Sequence, residues 1–266
     1  MIDVSSLAHA DAATVREAAR TRRWTGPTAG LASGFAQANL IVLPRALAYD
    51  FLLFAVRNPK PLPLLDVTDA GDAVPRRAAP TADLRTDLPR YWVFEQGRRV
   101  AEVEDATPYW RDDLVAFLTG CSFTFEWALL AAGISLRHVE CGTNVAMYRT
   151  AHPCAEAGVF RGPLVVSMRP IPQELVSVAV QVSGRYWGAH GAPVHIGDPA
   201  ALGIADLSHP DYGDPPVIAP GETPVFWACG VTAQAAVAAT APDYAITHAP
   251  GHMFITDLRD ASLALT

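Results

Sequence analysis

The chain has a single lysine, no closely spaced cysteine pairs, no nucleotide-binding pattern and no long hydrophobic run. The lysine, Lys60, lies between two prolines, so we do not expect a lysine Schiff base with pyridoxal phosphate or a carbonyl substrate. G-x-G-x-x-G and Walker sequences are missing as well, which argues against nucleotide cofactors. The sequence therefore predicts a protein that uses no cofactor.

The cysteines and the hydrophobic pattern bear on the cellular compartment. Four cysteines, Cys121, Cys141, Cys154 and Cys229, show neither C-x-x-C spacing nor a dense disulfide framework. No apolar run approaches the ~18 residues that a membrane span needs, and the start of the chain lacks the hydrophobic core of a signal peptide. We expect a cytoplasmic protein with reduced thiols and no membrane partner.

The charge balance argues against a further class of partner. The formal net charge is -7 and the pI is close to 5.6, and no basic stripe is available to bind nucleic acid. An arginine-rich patch at Arg16, Arg20, Arg22 and Arg23 falls on a predicted helix over residues 10–22, where we expect a solvent-exposed face. No nucleic-acid partner is expected.

Apolar sequence suited to a folded core is abundant. Half of the 266 residues are hydrophobic and 18% are charged, enough for one compact unit or two closely packed subdomains. Strands and helices alternate from residue 136 onward, which predicts an α/β fold with a mixed-sheet core and a smaller α+β subdomain. We divide the chain into an N-terminal helix and linker (1–30) and a single α/β unit (31–266), with the smaller subdomain within about 65–150.

Local patterns predict the elements around the first two cysteines. Gln37 to Leu43 is typical of a buried strand, and Thr107 before Pro108 predicts a helix running to about Leu118. A second helix is expected from Phe123 to Ala132, after the break at Cys121. Leu136 to Glu140 is expected to be a strand.

Residues 223–232 carry the most informative pattern of the chain. An apolar strand-like run stops at Cys229, and an alanine-rich helix, Ala233 to Thr240, follows it. The unpaired N–H groups and the positive dipole end of a helix start favour a thiolate. Cys121 lies at a similar break, so two thiols share this local chemistry. The competing interpretation is that each is a small buried hydrophobic residue.

Two further loops combine histidines with turn-forming residues. Residues 190–199 carry His190, His195 and Asp198, and residues 246–255 carry His248 and His252. Loops at strand ends are where α/β proteins collect binding and catalytic groups. The same side chains are metal ligands by type, although Pro250-Gly251 turns the H-x3-H spacing into a loop instead of a helix. Whether a metal is needed is left open.

Taken together, these segments resemble the D-glutamate cyclase family, a group of mostly uncharacterised bacterial proteins labelled as hydro-lyases. The resemblance covers roughly residues 30 to 258 in order. It departs at Ala146, where the family pattern has proline, and at residues 184–189, just before His190-Gly191. The matching stretches are Asn39 to Pro44, Asp50 to Phe54 with Arg57 to Pro61, Asp83 to Pro89, Trp110 to Val115 through Gly120 to Phe123, Asn144 to Thr150, 163–172 and 190–258.

The resemblance implies a hydro-lyase, with the closure of D-glutamate to 5-oxo-D-proline and water as the leading activity. Ring closure needs a neutral α-amine, a polarised γ-carboxyl group, donors for the oxyanion and an acid for the departing hydroxide. Arg149 or Arg169 would hold the α-carboxylate. His248 or His252 would transfer protons near neutral pH.

Other residues complete the expected site. The N–H groups of Gly230 and Val231 would stabilise the oxyanion, Asn144 and Tyr148 would orient the substrate, and Cys229 would serve in proton transfer or anion binding. The predicted catalytic residues are Cys229, His252, His248 and Cys121, and the predicted substrate-binding residues are Asn144, Tyr148, Arg149, Arg169, His190, His195, Gly230, Val231 and Thr232.

Two other functions compete with dehydration. A cofactor-independent racemase or epimerase would use Cys121 and Cys229 as opposed acid and base, and would bring solvent deuterium to the α-carbon. A non-catalytic small-acid-binding protein would bind its ligand without turnover. In each case the expected partner is a small amino or carboxylic acid, and a homodimer is left open.

Overall fold

The structure of the protein is a computed structural model that describes residues 4–264. The first three residues of the predicted N-terminal region and the last two of the predicted α/β unit lie outside the described residues. The helices are α1 (Val4–Ala8), α2 (Ala12–Arg20), α3 (Arg45–Arg57), α4 (Phe123–Ala131), α5 (Arg137–Cys141), α6 (Val176–Gly184) and α7 (Thr232–Thr240). The strands are β1 (Phe35–Pro44), β2 (Leu64–Val67), β3 (Tyr91–Glu95), β4 (Arg98–Val103), β5 (Leu114–Gly120), β6 (Ala146–Pro153), β7 (Pro163–Pro172), β8 (His195–Ile196), β9 (Glu222–Ala228), β10 (Tyr244–His248) and β11 (Phe254–Arg259).

The strands form two antiparallel sheets. The larger sheet has the order β2-β5-β1-β10-β3-β4, with β11 also paired to β1, and the smaller one has the order β6-β7-β9-β8. Helices pack against both sheets, so the predicted α/β class is confirmed. The smaller sheet takes its strands from residues 146 to 228, whereas the sequence placed the smaller subdomain within about 65–150. Within residues 4–264, no helix is both long and apolar enough to cross a bilayer.

Two of the N-terminal arginines, Arg16 and Arg20, form ion pairs with the body of the protein. α2 packs against β11, and Arg16 is buried with 3% of its surface accessible. Its guanidinium donates to Asp257 at 2.8 Å and to the carbonyl of Ile255 at 2.9 Å. Arg20 pairs with the buried carboxylate of Asp87 through two hydrogen bonds. The prediction of a solvent-exposed face is wrong for Arg16, because this helix ties the N-terminal segment to the larger sheet.

The predicted helix from Thr107 to Leu118 is wrong. Thr107 and Pro108 begin a single 3₁₀ turn, and β5 follows as a central strand whose seven residues are all buried. Both faces of this strand are covered, so its sequence is apolar throughout and lacks the alternation of a half-exposed strand. A short continuous apolar run of this kind cannot be told from a buried helix by its periodicity.

The predicted strand from Leu136 to Glu140 is also wrong. These residues form the short helix α5, which ends at Gly142 in a left-handed conformation with φ 64°. A glycine of this kind commonly ends a helix, because it adopts positive φ without steric cost. The other predicted elements near the cysteines, the strand at 37–43 and the helix from Phe123, are confirmed by β1 and α4.

The two sheets repeat one arrangement of strands and helices. β1 and β7 each have ten residues and end in a proline, Pro44 or Pro172, that is followed at once by helical residues. β5 and β9 each have seven residues, pair with β1 and β7 respectively, and are followed by Cys121 and Cys229. The nine-residue helices α4 and α7 come next. The chain therefore contains two structurally equivalent halves.

The halves exchange strands with each other. After α4 and α5 the chain enters β6, which pairs with β7 of the second half. After α7 it enters β10 and β11, which pair with β1 of the first half. This exchange is reciprocal, and Cys121 and Cys229, which follow β5 and β9, lie in one buried apolar cluster.

Candidate active site

Cys121 and Cys229 are held by equivalent backbone hydrogen bonds. The N–H of Cys121 donates to the carbonyl of Gln37 in β1, and the N–H of Cys229 donates to the carbonyl of Val165 in β7, each at 3.0 Å. Each cysteine thus continues the pairing of its strand by one residue before the chain turns into a helix. The sequence prediction that Cys229 lies between a strand and a helix start is confirmed.

A threonine three residues after each cysteine fixes the turn. The hydroxyl of Thr124 accepts the N–H of Gln37 at 3.1 Å, and the hydroxyl of Thr232 accepts the N–H of Val165 at 3.0 Å. Both threonines are buried, with exposed fractions of 1% and 0%. Strand, thiol and helix start are therefore locked together in the same way in both halves.

The two thiols belong to a single buried cluster. Val145, Met147 and Met253 are among its apolar members. Burial raises the pKa of Cys121 well above its ordinary value and that of Cys229 to about 11. The N–H groups of Phe123 and Val231 act in the opposite direction, as expected for helix starts, but the effect of burial is larger. The predicted thiolates are therefore protonated thiols at neutral pH.

Next to the thiols lies a buried network of charged groups around Arg169. Its guanidinium donates through Nε and Nη2 to Oε1 of Glu126, through Nη1 to Ser167 at 3.1 Å, and through Nη2 to Ser122 at 3.0 Å. Arg169 and Glu126 have exposed fractions of 1% and 2%. The arginine that the sequence assigned to the substrate carboxylate already holds a carboxylate of the protein, and four of its five N–H donors are used.

His138 completes this network from α5. Its Nε2 lies 3.0 Å from Oε1 of Glu126, at ion-pair distance but outside hydrogen-bond geometry. Burial raises the pKa of Glu126, but the charges of His138 and Arg169 outweigh it and leave that pKa below its usual value. Glu126 is therefore an ionised carboxylate that is stabilised from two sides.

Arg169 is also the charge that links the other candidate groups. Its positive charge lowers the pKa of Cys121, Cys229 and His190. For the two cysteines this opposes the larger effect of burial, and for His190 it adds to that effect. The charge of Cys229 in turn raises the pKa of Cys121. The structure thus brings Cys121, Cys229, Arg169 and His190 into one electrostatic neighbourhood.

Glu126 and Gln234 occupy equivalent positions, five residues after Cys121 and Cys229. Gln234 donates through Nε2 to the carbonyl of His248 at 2.6 Å and to the hydroxyl of Thr247 at 3.2 Å. Oε2 of Glu126 and Oε1 of Gln234 are buried and have no hydrogen-bond partner among the described residues. Each half therefore carries one free buried acceptor five residues after its thiol.

Asn39 connects the two cysteine-bearing turns. Its Nδ2 donates to the carbonyls of Gly120 at 2.8 Å and of Thr119 at 3.2 Å. Its side chain also covers Gly230, where an added Cβ would lie 2.1 Å from Nδ2. Glycine after Cys229 is thus required by the close approach of Asn39, which at the same time holds the residue before Cys121.

His190 lies near Arg169 in a strained backbone conformation. Its φ is 79°, which is uncommon for a residue other than glycine. Nδ1 donates to the carbonyl of Lys60 at 2.8 Å, and Nε2 has no partner within residues 4–264. Burial lowers its pKa to about 4, so the ring is neutral at pH 7 and its Nε2 is a hydrogen-bond acceptor.

His248, the last residue of β10, has its ring against the backbone of β1. Its Nδ1 lies 3.2 Å from both the backbone nitrogen and the carbonyl oxygen of Leu40, one of the two β1 residues between the segments that pair with β10 and β11. Burial lowers its pKa to about 4. His252 is less buried, and its Nδ1 lies 3.0 Å from the carbonyl of Pro250. Burial lowers its pKa too, and its charged neighbours are Arg90 and Glu102, not Arg169.

Asn144 sits at the edge of the network, beside a small cavity. Its Nδ2 donates to the carbonyl of Pro250 at 3.0 Å, and Gly251 packs against its side chain. Asn144 and His138 both line a cavity of about 40 Å³, which has room for only a few water molecules. A surface cleft of about 820 Å³ is lined instead by residues such as Glu95, Arg98 and Tyr244.

Three other predicted residues lie on the far face of the smaller sheet or at its edge. Tyr148 donates to the carbonyl of Leu207 and packs with Met168, whose side chain faces away from Arg169. Arg149 is exposed, and His195 contacts Phe226 and the carbonyl of Asp198. Their proposed roles in substrate binding remain predictions. Within residues 4–264, no three His, Cys, Asp or Glu side chains are grouped to hold a metal ion.

Several residues of the site were not found from the sequence. Ser122, Glu126, His138, Asn39 and Thr124 were missed, although a signal for most of them was present, whereas Thr232 was among the predicted substrate-binding residues. Residues 121–126, CSFTFE, and 229–234, CGVTAQ, share the pattern C-x-x-T-x-E/Q. Aligning the two segments would have identified both the repeat and the paired Glu126 and Gln234.

Fold and site together define an α/β protein of two equivalent halves with a buried pair of thiols between them. The sequence profile described as D-glutamate cyclase matches residues 115–257. A protein of Stutzerimonas stutzeri named "Putative hydro-lyase" is 60% identical over 95% of this chain and 96% of its own length. The Bacillus subtilis protein "Putative hydro-lyase YcsI" is 57% identical over 94% of this chain and 98% of its own. The chain belongs to the D-glutamate cyclase family.

Proposed function

We propose that the protein is a hydro-lyase that dehydrates a small amino or carboxylic acid at the thiol cluster between the sheets. D-glutamate is the leading substrate, with 5-oxo-D-proline and water as products. Family membership supports the reaction class. The observation that carries the site assignment is the meeting of Cys121, Cys229 and the Arg169 network in one buried region.

The protonation state of the thiols suits a dehydration. When glutamate closes, a C–N bond forms at the γ-carboxyl carbon, a C–O bond breaks, and two protons leave the ammonium nitrogen for the departing oxygen. A group that gives a proton to the oxygen and receives one from the nitrogen is a proton shuttle. Cys229, with a pKa of about 11, is protonated at neutral pH and able to act as the acid.

The same protonation state argues against covalent catalysis. A thiol must ionise before it attacks, and a carboxylate is a poor electrophile without activation. Burial therefore favours proton transfer by Cys229 over nucleophilic attack.

The groups around the thiols supply contacts for a zwitterionic amino acid. Ser122 and the remaining N–H of Arg169 can donate to a carboxylate. Oε2 of Glu126 and Nε2 of His190 are buried acceptors for an ammonium group. The cavity beside His138 and Asn144, about 40 Å³, is smaller than an amino acid, so on this proposal the thiol cluster has to open to admit the substrate.

The experiment that tests this proposal is chiral mass-spectrometric detection of 5-oxoproline after incubation with D- and L-glutamate, with and without chelator. Formation of 5-oxo-D-proline from D-glutamate above the non-enzymatic background supports it. Background levels from both enantiomers contradict D-glutamate as the substrate. Saturable binding of D-glutamate without product would indicate a binding protein instead.

A further inference from the structure

We propose that Cys121 and Cys229 form a proton-transfer pair that removes and returns the α-hydrogen of a small amino acid. The additional activity is racemisation or epimerisation at the α-carbon. It rests on the substrate class of the proposed function, a small amino acid, but it does not require ring closure.

The first support is the equivalence of the two thiols. Each follows a seven-residue strand, donates its N–H at 3.0 Å to the neighbouring strand, and precedes a buried threonine that accepts from that strand. The halves exchange strands reciprocally, which is the pattern of a two-fold pair, and in such a pair equivalent side chains approach the axis from opposite sides. A substrate carbon held between the halves would therefore have one thiol on each of its faces, which is the geometry that inversion requires.

The second support is the shared environment of the pair. The thiols lie in one apolar cluster that includes Val145, Met147 and Met253. The charge of Cys229 raises the pKa of Cys121, and the charge of Arg169 lowers the pKa of both thiols. A thiolate formed in such surroundings is a stronger base than one in water, as the abstraction of a weakly acidic α-hydrogen demands. Arg169 acts on both thiols, so it stabilises a single negative charge on either of them.

The third support is the set of unpartnered acceptors. Oε2 of Glu126 and Oε1 of Gln234, each five residues after a thiol, are buried without a hydrogen-bond partner in the described part of the chain. Buried polar atoms normally have partners, so free acceptors in both halves point to a ligand with donor groups. An α-ammonium group provides three N–H donors of this kind.

The reaction moves one proton in and one proton out. One cysteine first gives its thiol proton to solvent, and the resulting thiolate takes the α-hydrogen as a proton while the C–H electron pair stays on the α-carbon. The thiol of the other cysteine then gives its proton to the opposite face, and its S–H electron pair remains on sulfur. The amino acid is inverted, the negative charge has passed from one sulfur to the other, and no oxidant, reductant or cofactor is consumed.

The test is the incorporation of deuterium from D₂O into D- and L-glutamate by the full-length protein. Proton NMR follows the loss of the α-hydrogen, and chiral mass spectrometry follows the deuterium in each enantiomer. We expect early product of inverted configuration to carry deuterium at the α-carbon while the recovered substrate does not, because the two faces are served by different thiols.

Single substitutions sharpen this test. Cys121→Ala and Cys229→Ala should each reduce inversion at least about 100-fold, since removal of an acid–base group costs that much. Each variant should keep exchange in one enantiomer only, and the two variants should keep opposite enantiomers. Cys154→Ala removes a buried thiol from a different cluster and is the matched control, expected to behave as the wild type. Circular dichroism confirms that each variant is folded.

The outcomes separate the two proposals. No α-deuterium in either enantiomer overturns the proton-transfer pair, even if 5-oxoproline is formed. Exchange without 5-oxoproline supports the pair and contradicts cyclisation. Equal loss of exchange in both enantiomers in a folded Cys121→Ala variant also overturns it, because a thiol serving one face cannot affect both equally.

Discussion

At the scale of single residues, Glu126 and Arg169 form a buried ion pair in which each partner depends on the other. Removing one member of such a pair leaves an uncompensated buried charge, whereas an exposed pair contributes little. The Nη2–Oε1 contact and the hydrogen bonds to Ser122 and Ser167 leave Arg169 fixed in place. This network therefore matters for stability as well as for the charge of the site.

The first prediction is that Arg169→Met lowers the free energy of unfolding by about 3–5 kcal/mol. The double variant Arg169→Met with Glu126→Gln should lose less, because the carboxylate that Arg169 pairs with is then removed as well. Arg76→Met breaks a pair in which Arg76 is 76% exposed and should change stability far less than Arg169→Met does. Urea unfolding followed by circular dichroism measures all three, and equal losses for Arg169→Met and Arg76→Met would refute the argument.

His190 and His248 make stability depend on pH. The pKa of each is lowered by burial to about 4. The unfolded chain takes up a proton on each ring near pH 6.5, but the folded chain does so only near pH 4, so protons favour the unfolded state between these values.

We predict that the free energy of unfolding falls as the pH is lowered from about 6.5 to about 4, by up to roughly 3 kcal/mol for each histidine. Below the folded pKa this loss is complete. Urea titrations at successive pH values measure the slope, and His248→Gln should flatten it. A wild-type profile without slope in this window would contradict the neutral buried state of both rings.

At the scale of elements, the two threonine hydroxyls hold the cysteine-bearing turns against β1 and β7. Thr124→Val and Thr232→Val keep the side-chain shape but leave the N–H of Gln37 or Val165 without its acceptor. An unsatisfied buried donor costs about 1–3 kcal/mol. We expect a loss of that size for each variant by urea unfolding, while Thr124→Ser and Thr232→Ser retain most of the stability. If the serine variants lost as much stability as the valine variants, the loss would come from side-chain packing and not from the hydrogen bond.

The start of α7 makes a separate prediction, at Gly230. A Cβ there would lie 2.1 Å from Nδ2 of Asn39, whereas a Cβ at Gly184 would meet nothing closer than 3.6 Å. We expect Gly230→Ala to destabilise the protein by about 1–3 kcal/mol, as overpacking does, and Gly184→Ala to be neutral or stabilising at the end of α6. Thermal melting compares the two. Equal effects of Gly230→Ala and Gly184→Ala would contradict this prediction, because they would mean that the side chain of Asn39 moves aside for the added methyl group.

The elements also show where prediction from the sequence succeeds. β1, α4 and α7 were found because buried apolar runs end at clear breaks such as Pro44, Cys121 and Cys229. β5 was missed because a strand covered on both faces has no alternating pattern. α5 was missed because five residues are too few to show a helical period, although Gly142 marks its end.

At the scale of the whole molecule, the site arises from the exchange of strands between two equivalent halves. The cysteine pair could be predicted from the sequence because both thiols precede a helix. The contact between Arg169 and Glu126 could not, because the two residues are 43 positions apart in the chain and meet only in the folded structure. His248 illustrates the same limit, since its contact with Leu40 depends on how β10 and β11 divide the edge of β1.

The central claim is that catalysis takes place at the two thiols between the halves. The most direct measurement is the initial rate of 5-oxo-D-proline formation from D-glutamate by the wild type, Cys121→Ala, Cys229→Ala and Cys154→Ala, side by side. The account predicts a loss of at least about 100-fold for Cys229→Ala and a clear loss for Cys121→Ala, with Cys154→Ala unchanged. A wild-type rate in folded Cys229→Ala and Cys121→Ala would contradict it.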